Sequence, residues 1–330
     1  MKNILILGGT GFVGSQVCEK LARQGWNVTL LTRRTAHARH LLHLPQVTVL
    51  EVDIHNDAAL TQAVQGHDAV VNLVAVLHGT QERFDKVHIA LPRRIAAACV
   101  ASGVNQLVHI SALGADARSP DSAPSMYLRS KGQGEVALRR VAAQTDLRVT
   151  VLRPSVIFGA EDHFLNLFAK LQKTFPFMPL AGAHARFQPV WVEDVASAVV
   201  RCLDRGTGLP LGGKVPGLLE ACGPEVFTLA ELVRLSAQLA GVNHGRGRPI
   251  LALPDWAGRL QAALMELAPG EPLMSGDNLD SMRVDNVASG EVPGLSSLGI
   301  TPSALRPIAS EYLTRSQGAS GLLGLRKKAH

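Results

Sequence analysis

Tyr127 and Lys131 stand four residues apart in Tyr127-Leu128-Arg129-Ser130-Lys131, which sets a phenol and an ammonium on one face of a helix. A neighbouring ammonium together with a bound cationic ring such as a nicotinamide lowers a phenol's pKa, so the pair can exchange a proton with a carbinol or a carbonyl. Ser111, just beyond the apolar run Gln106–Ile110, is the third candidate for this catalytic set. Ser125 and Ser130 are alternative hydroxyls, although Ser130 lies off the Tyr127–Lys131 face.

Proton exchange at a carbinol has to be matched by a hydride acceptor. The run Gly8-Gly9-Thr10-Gly11-Phe12-Val13-Gly14 offers a place for one, because it follows a short apolar strand and opens a helix. Gly8 permits a tight turn, Gly11 lets a pyrophosphate approach the backbone, and Gly14 lets the helix pack on the strand; Thr10, Phe12 and Val13 complete the loop. The free N–H groups and positive end of the helix then receive the diphosphate of a nicotinamide dinucleotide, whose C4 exchanges the hydride. Lys131 would also hold the nicotinamide ribose.

The end of the second strand bears on which dinucleotide binds. An acid there holds the 2′-hydroxyl of NAD(H). Here Thr32 is followed by Arg33 and Arg34, whose guanidinium groups pair with a 2′-phosphate and cannot accept from a hydroxyl. NADP(H) is therefore favoured, with NAD(H) as the alternative. His37, His40 and His43 follow without a carboxylate or thiol partner, so no metal site is expected. Asp53, followed by Ile54, lies where it would accept from an adenine amino group. Leu73, Val74 and Ala75 would pass beside the adenosine ribose.

These groups need a frame in which strand ends converge. Asn3–Leu7, Asn27–Leu31, Val47–Val52, Ala69–Ala75, Gln106–Ile110 and Arg148–Leu152 read as continuous apolar strands, separated by helical patterns at Phe12–Gln24, Asp57–Gln65, Phe84–Ala101 and Met126–Ala143. The alternation predicts an α/β fold, a Rossmann-type doubly wound parallel sheet with right-handed crossovers. Residues 1–155 form its dinucleotide-binding core. Residues 156–315 form a smaller, interleaved C-terminal α/β lobe for substrate or partner, with a strand at Phe187–Trp191 returning to the sheet. Its helices fall at Val192–Leu203, Leu229–Ala240, Asp255–Leu267 and Ser303–Arg315, and residues 316–330 read as a disordered basic tail. Within Asp255–Leu267, Trp256, Leu260, Leu264 and Leu267 share one helical face. Phe175-Pro176-Phe177-Met178-Pro179 is an apolar loop. Core packing is favoured for it over a cap on a hydrophobic substrate or a contact with membrane or partner.

Composition narrows the class. Apolar residues make up 46% of the 330 and aromatics only 4%, enough for a sizeable, mainly aliphatic core. The run Ile4–Leu7 is too short for a signal peptide, and Ala69–Leu77 falls far short of the ~20 residues a membrane-spanning helix needs. A cytoplasmic protein is expected, peripheral at most to the inner face of a membrane. Cys18, Cys99, Cys202 and Cys222 are isolated, which suits reduced, buried thiols and neither a disulfide frame nor a zinc site. The net charge of +6 reads as a solvated basic surface, and no basic run is interleaved with aromatics as nucleic-acid binding requires.

With these elements in order, the chain resembles the short-chain dehydrogenase/reductase superfamily, in its extended or atypical branch, the NAD-dependent epimerase/dehydratase type. The resemblance runs through GGTGFVG (Gly8–Gly14), VVNLVAVL (Val70–Leu77), HISALGAD (His109–Asp116), MYLRSKGQGE (Met126–Glu135), LRPSVIFG (Leu152–Gly159) and FQPVWVEDVA (Phe187–Ala196). The YLRSK form and the late SGDNLDSMRVDNVA element (Ser275–Ala288) are most similar to the group around the alpha-subcomplex subunit nine of respiratory complex I and its bacterial relatives. The resemblance implies that Arg153, Pro154 and Ser155 line the nicotinamide end. It also implies a substrate-orienting Ser or Thr a step or two beyond the strand end His109-Ile110-Ser111 in active relatives, where the positions after Ser111 are Ala112, Leu113 and Gly114, so that Ser111 is the wall of the pocket or the catalytic hydroxyl. The reading is an NAD(P)H-binding accessory or assembly factor tied to complex I or quinone metabolism, with a membrane-associated respiratory or quinone-related complex as partner. Two alternatives stand beside it. One is an active NADP-dependent oxidoreductase or epimerase on a small carbonyl, sugar-nucleotide or quinone-type substrate; the other is a dinucleotide-sensing regulator.

Overall fold

Six of the apolar runs are strands: β1 (Asn3–Leu7), β2 (Asn27–Thr32), β3 (Val47–Glu51), β4 (Ala69–Asn72), β5 (Gln106–Ile110) and β6 (Arg148–Pro154). The protein is seen here as a computed structural model that describes residues 1–204, 214–267 and 272–314; the tail expected at 316–330 lies outside the described residues. With a seventh strand, Leu218–Ala221, the six form one wholly parallel sheet. Its order is Leu218–Ala221, β6, β5, β4, β1, β2, β3. The helices between the strands are α1 (Phe12–Arg23), α2 (Asp57–Val64), α3 (Gln81–Phe84), α4 (Leu91–Ala101) and α5 (Met126–Gln144). Leu5, Leu7, Val70 and Leu107 of the sheet share one buried cluster with Leu60, Ile95, Cys99 and Leu138 of α2, α4 and α5. On another side, α1 packs against the helix Val192–Leu203. This covering by helices is why the strands read as unbroken apolar runs.

Two compact units emerge. The first comprises Met1–Pro154, Val192–Ala221 and Ala288–Thr301; the second comprises Ser155–Trp191, Cys222–Val287 and the chain from Pro302. In the second unit, helices Leu165–Thr174 and Leu229–Leu239 pack together, and a helical run covers 305–314. Phe158, Leu165, Leu232, Leu235, Leu305 and Leu313 belong to its core.

The strand expected to return to the sheet is a different one. Arg186–Phe187 pairs with Phe227–Thr228, and Val190–Trp191 pairs with Ile157–Phe158, all within the second unit. Pro189 divides that run and has no N–H for a ladder. The returning strand is Leu218–Ala221, hidden from the apolar pattern by Glu220, whose buried carboxylate accepts from the N–H and hydroxyl of Ser289 at 2.8 and 3.1 Å.

The single helix expected over Phe84–Ala101 is interrupted by a π-helical turn, Asp85–Ala90. Pro92 explains it. Proline offers no N–H to the carbonyl of His88 four residues earlier, so the backbone widens, and Leu91 N–H reaches back five residues to the Lys86 carbonyl. The His88 carbonyl lies so close to Gly134 of α5 that no Cβ could stand between them. Strand β4 also stops three residues early. Asn72 Oδ1 accepts from Val74 N–H at 3.2 Å and turns the chain out of the sheet.

Candidate active site and dinucleotide site

Because every strand of the sheet is parallel, the segments that follow the strands leave from one edge. Along it the order is Pro154 after β6, Ser111 after β5, Leu73–Ala75 after β4, the glycine loop after β1, Arg33 and Arg34 after β2, and Asp53 and Ile54 after β3. That order sets the segments expected to hold the two ends of a dinucleotide along one edge of the sheet.

The glycine loop fits a diphosphate. Gly8 adopts φ of 81° and lies where a Cβ would come within 3.0 Å of the Leu73 carbonyl carbon and Val74 nitrogen. A Cβ on Gly14 would fall upon Gly9 and 2.5 Å from the Gly8 carbonyl oxygen. Gly11 is different: it is exposed, and a Cβ would meet only the Gly8 oxygen at 3.5 Å, so the chain itself leaves that space open. Gly9, which its pattern did not mark, is packed so that a Cβ would press on the Leu30, Ile6 and Cys18 side chains and force them to shift. Helix α1 starts at Gly11 with no side-chain cap and no acidic residue in its first turn, which suits an anion at its N-terminus. Ser15 holds the first turn from below, donating to the Gly11 carbonyl at 2.9 Å and meeting His40 Nε2 at 3.0 Å.

After β2, Arg33 and Arg34 are exposed. An acid does stand nearby, but on β3: Glu51 is in register with Thr32, and its carboxylate accepts from the N–H and hydroxyl of Thr35 at 3.0 and 3.1 Å. Asp53 is exposed and accepts from His55 N–H at 2.9 Å.

At the other end the side chains are occupied by one another. Ser111 donates to Glu135 Oε1 at 2.6 Å, and Arg153 grips the same carboxylate through two bonds of 2.8 and 2.7 Å. Glu135 is fully buried. Arg153, which the family resemblance places at the nicotinamide, therefore has its guanidinium on Glu135. Lys131 is 2% exposed; it donates to the Ile110 carbonyl at 3.1 Å and stands 5.9 Å from the centre of the Tyr127 ring. Burial lowers the Lys131 ammonium to about 8, partly opposed by Glu135. Burial pushes the Tyr127 phenol up to about 12. Ser125 caps α5 by accepting from Leu128 N–H, and Ser155, which opens the second unit, donates to Asn286 Oδ1 at 2.6 Å.

Two histidines that sequence reasoning missed complete this end. His88 Nε2 accepts from Val76 N–H at 3.1 Å, so its Nδ1 carries the proton and faces Ser130 Oγ at 2.9 Å. Ser130 in turn donates to the Tyr127 carbonyl at 2.8 Å. The His88 ring also meets the Tyr127 ring edge-on, with centroids 5.5 Å apart. Burial, with Lys131 and His109 nearby, holds His88 neutral, with its pKa pushed down to about 2. His109 Nδ1 meets the amide nitrogen of Asn72 at 3.1 Å, which places its proton on Nε2. That buried Nε2 has no partner among the described residues, an atom that an acceptor on a bound group would satisfy. Burial and then Lys131 lower His109 to about 3. The π-helical turn places His88, and Pro92 was its only trace in the sequence. Glu135 had a clearer one, since it continues the four-residue spacing of Tyr127 and Lys131.

Among the described residues, no group of three or more His, Cys, Asp or Glu is placed to hold a metal ion, and no helix is long and apolar enough to cross a membrane. All four cysteines are buried free thiols.

Comparison with known proteins agrees with this geometry. The chain is 33% identical over 321 residues to mitochondrial NADH dehydrogenase (ubiquinone) 1 alpha subcomplex subunit 9 of Rattus norvegicus, covering 94% of this chain and 79% of that one. It is 30% identical to the ceramide reductase of Caulobacter vibrioides, covering 76% of this chain and 74% of that one. Its fold is similar to that of the dTDP-glucose 4,6-dehydratase DesIV of Streptomyces venezuelae, solved with NAD and TYD bound. The TM-score is 0.72 at 18% identity, covering 97% of this chain and 98% of that one. Residues 4–213 match the NAD dependent epimerase/dehydratase family, and with the parallel sheet, the glycine loop and the Tyr127–Lys131 pair in place, the chain belongs to that family.

Proposed function

We propose that this protein binds NADP(H) at the glycine loop and serves as an accessory or assembly factor for a membrane-associated respiratory complex or for quinone metabolism. On this reading it is cytoplasmic and peripheral at the inner face of the membrane. The observation that carries the proposal is the contrast within the site. The α1 N-terminus and Gly11 are open to a diphosphate, whereas Ser111, the hydroxyl that would orient a substrate, is bonded to buried Glu135. The extended likeness to a respiratory-complex subunit supports the same assignment. Gly8–Gly14 would hold the diphosphate, Arg33 and Arg34 the 2′-phosphate, Asp53 and Ile54 the adenine, Leu73–Ala75 the adenosine ribose, and Lys131, Pro154 and Ser155 the nicotinamide end.

A second reading, an active oxidoreductase, is favoured by the Tyr127–Lys131 pair and by the likeness to a reductase. The dinucleotide would supply hydride exchange at C4. Tyr127 would exchange the proton, and Lys131 would hold the ribose and, together with the nicotinamide cation, bring the phenol's pKa down. The test is complementation of a deletion strain, with the copurifying nucleotide identified by mass. The accessory role predicts that Tyr127→Phe is silent, whereas Gly14→Val disturbs the partner complex. A dead Tyr127→Phe with a stable, nucleotide-loaded protein would overturn it in favour of the enzyme, with a ~10²–10⁴-fold loss of kcat.

A further inference from the structure

The helix Asp255–Glu266 of the second unit lies with its apolar face outward. Trp256, Leu260, Leu264 and Leu267 are 72%, 57%, 61% and 81% exposed, while the residues it buries are the small ones, Gly258 and Ala262. The orientation is built in. A Cβ on Gly258 would stand 2.7 Å from the Ala181 Cβ, so this side lies flush against the unit and has no room for a large side chain. An ordinary surface helix does the reverse and turns its large apolar residues to the core.

The same unit exposes a second apolar element. Phe175 and Phe177 are each 51% exposed, so the loop for which core packing was favoured is a surface feature. It leads into Met178–Leu180, which pairs with Ile250–Ala252, and that strand, with Leu251 exposed, runs through Pro254 into the helix. The aromatic loop and the strands leading to the helix carry charges of one sign, while the helix itself has Asp255 and Glu266 at its two ends. No Asp or Glu occurs from 163 to 192 or from 232 to 254, whereas Lys170, Lys173, Arg246 and Arg248 do. Lys170, Lys173 and Arg246 are exposed, and Arg248 is tied to the base of the aromatic loop through Gln172. Arg259, on the helix itself, is paired with Asp280 at 2.8 Å.

We propose that this face docks on a bilayer carrying anionic phospholipid, with the Trp256 stripe and the Phe175–Phe177 loop entering the headgroup region and the basic residues meeting lipid phosphates. A Trp- and Leu-rich stripe beside basic residues is the composition of an interfacial element. A protein partner would be expected to find acids throughout the face, whereas those of the helix sit only at its ends, Glu266 bonded to Gly276 N–H, and the segments leading to it are acid-free. The inference rests on the second unit's surface and does not require the dinucleotide site to be occupied.

The test is co-flotation of the full chain with vesicles of phosphatidylcholine alone or mixed with phosphatidylglycerol. Binding is expected to the mixed vesicles and to weaken with salt. The pair Trp256→Glu and Leu264→Glu should lower partitioning tenfold or more, and Lys170→Glu with Lys173→Glu roughly fivefold for each charge. All four side chains are exposed, so circular dichroism and dinucleotide titration should remain as in the parent, which separates this outcome from any failure of the functional proposal. Absence of binding to mixed vesicles, or binding indifferent to Trp256 and Leu264, overturns the inference. A dimer that Trp256→Glu dissolves, with no vesicle binding, would assign the face to a second copy instead.

Discussion

The two ends of the candidate site are built on opposite principles. At the glycine loop the chain leaves groups uncommitted: α1 has no side-chain cap, no acid in its first turn, and open space over Gly11. At the Tyr127 end it binds groups to one another, Ser111 and Arg153 to Glu135, Lys131 to the Ile110 carbonyl, and His88 to Val76 and Ser130. An open helix terminus is an invitation to an anion. A buried polar network is a rigid support, and its members are available to a substrate only if they give up the bonds they already have. The difference teaches that a family's binding element can stay open while its catalytic neighbourhood is tied into structure.

The largest effect that would break this contrast lies at Gly14. Gly14→Val must displace Gly8 and Gly9, so calorimetry should detect no dinucleotide binding and the thermal midpoint should fall. Gly11→Ala should leave the melt unchanged yet weaken binding, because only a bound diphosphate needs that space; normal binding by Gly11→Ala would refute the placement of the diphosphate. At the other end, Glu135→Ala leaves Arg153 buried without its partner, and urea denaturation should register a loss of about 3–5 kcal/mol. A loss below about 1 kcal/mol would mean the network is ornamental.

Acid should act on the occupied end as well. His88 and His109 are held neutral in the fold, with pKa values near 2 and 3, whereas the unfolded chain protonates them below about 6.5. Stability present at pH 7 is therefore lost as the pH falls, by about 2 kcal/mol per histidine on reaching pH 5. Lys131 works in the same direction at the alkaline end, where stability again rises with pH. Its folded pKa near 8 is below the unfolded value, so raising the pH from about 8 towards 10.5 should relieve part of its burial cost. Denaturation midpoints across this range test both windows, and a flat acid limb would show that the histidines are not held neutral. The smallest effect is at the open end: Arg33→Ala should weaken NADPH by about 1.5–3 kcal/mol and leave NADH unchanged. Equal losses for the two would remove the 2′-phosphate argument.

Much of this was legible in the chain before it folded. Six sheet strands read as apolar runs because parallel strands covered on both faces leave no polar alternation, and the glycine spacing reads directly because it is a demand of local geometry. The Tyr127–Lys131 pair is equally local, one turn of one helix. What the sequence did not show depends on contacts between distant segments. Leu218–Ala221 was obscured by Glu220, whose burial makes sense only once Ser289 is beside it. The bond from Ser111 to Glu135 was not legible because its partner is 24 residues away on α5. The π-helical turn needed both Pro92 and the close approach of Gly134.

The stripe at Trp256, Leu260, Leu264 and Leu267 separates the two kinds of knowledge most sharply. Periodicity by itself determined that these side chains share a face, because 3.6 residues per turn leave no other arrangement in a helix. Only the tertiary structure decided that the face looks outward. Gly258 and Ala262 allow the opposite side to lie flush on Ala181, and large side chains cannot enter where that contact has already closed the space.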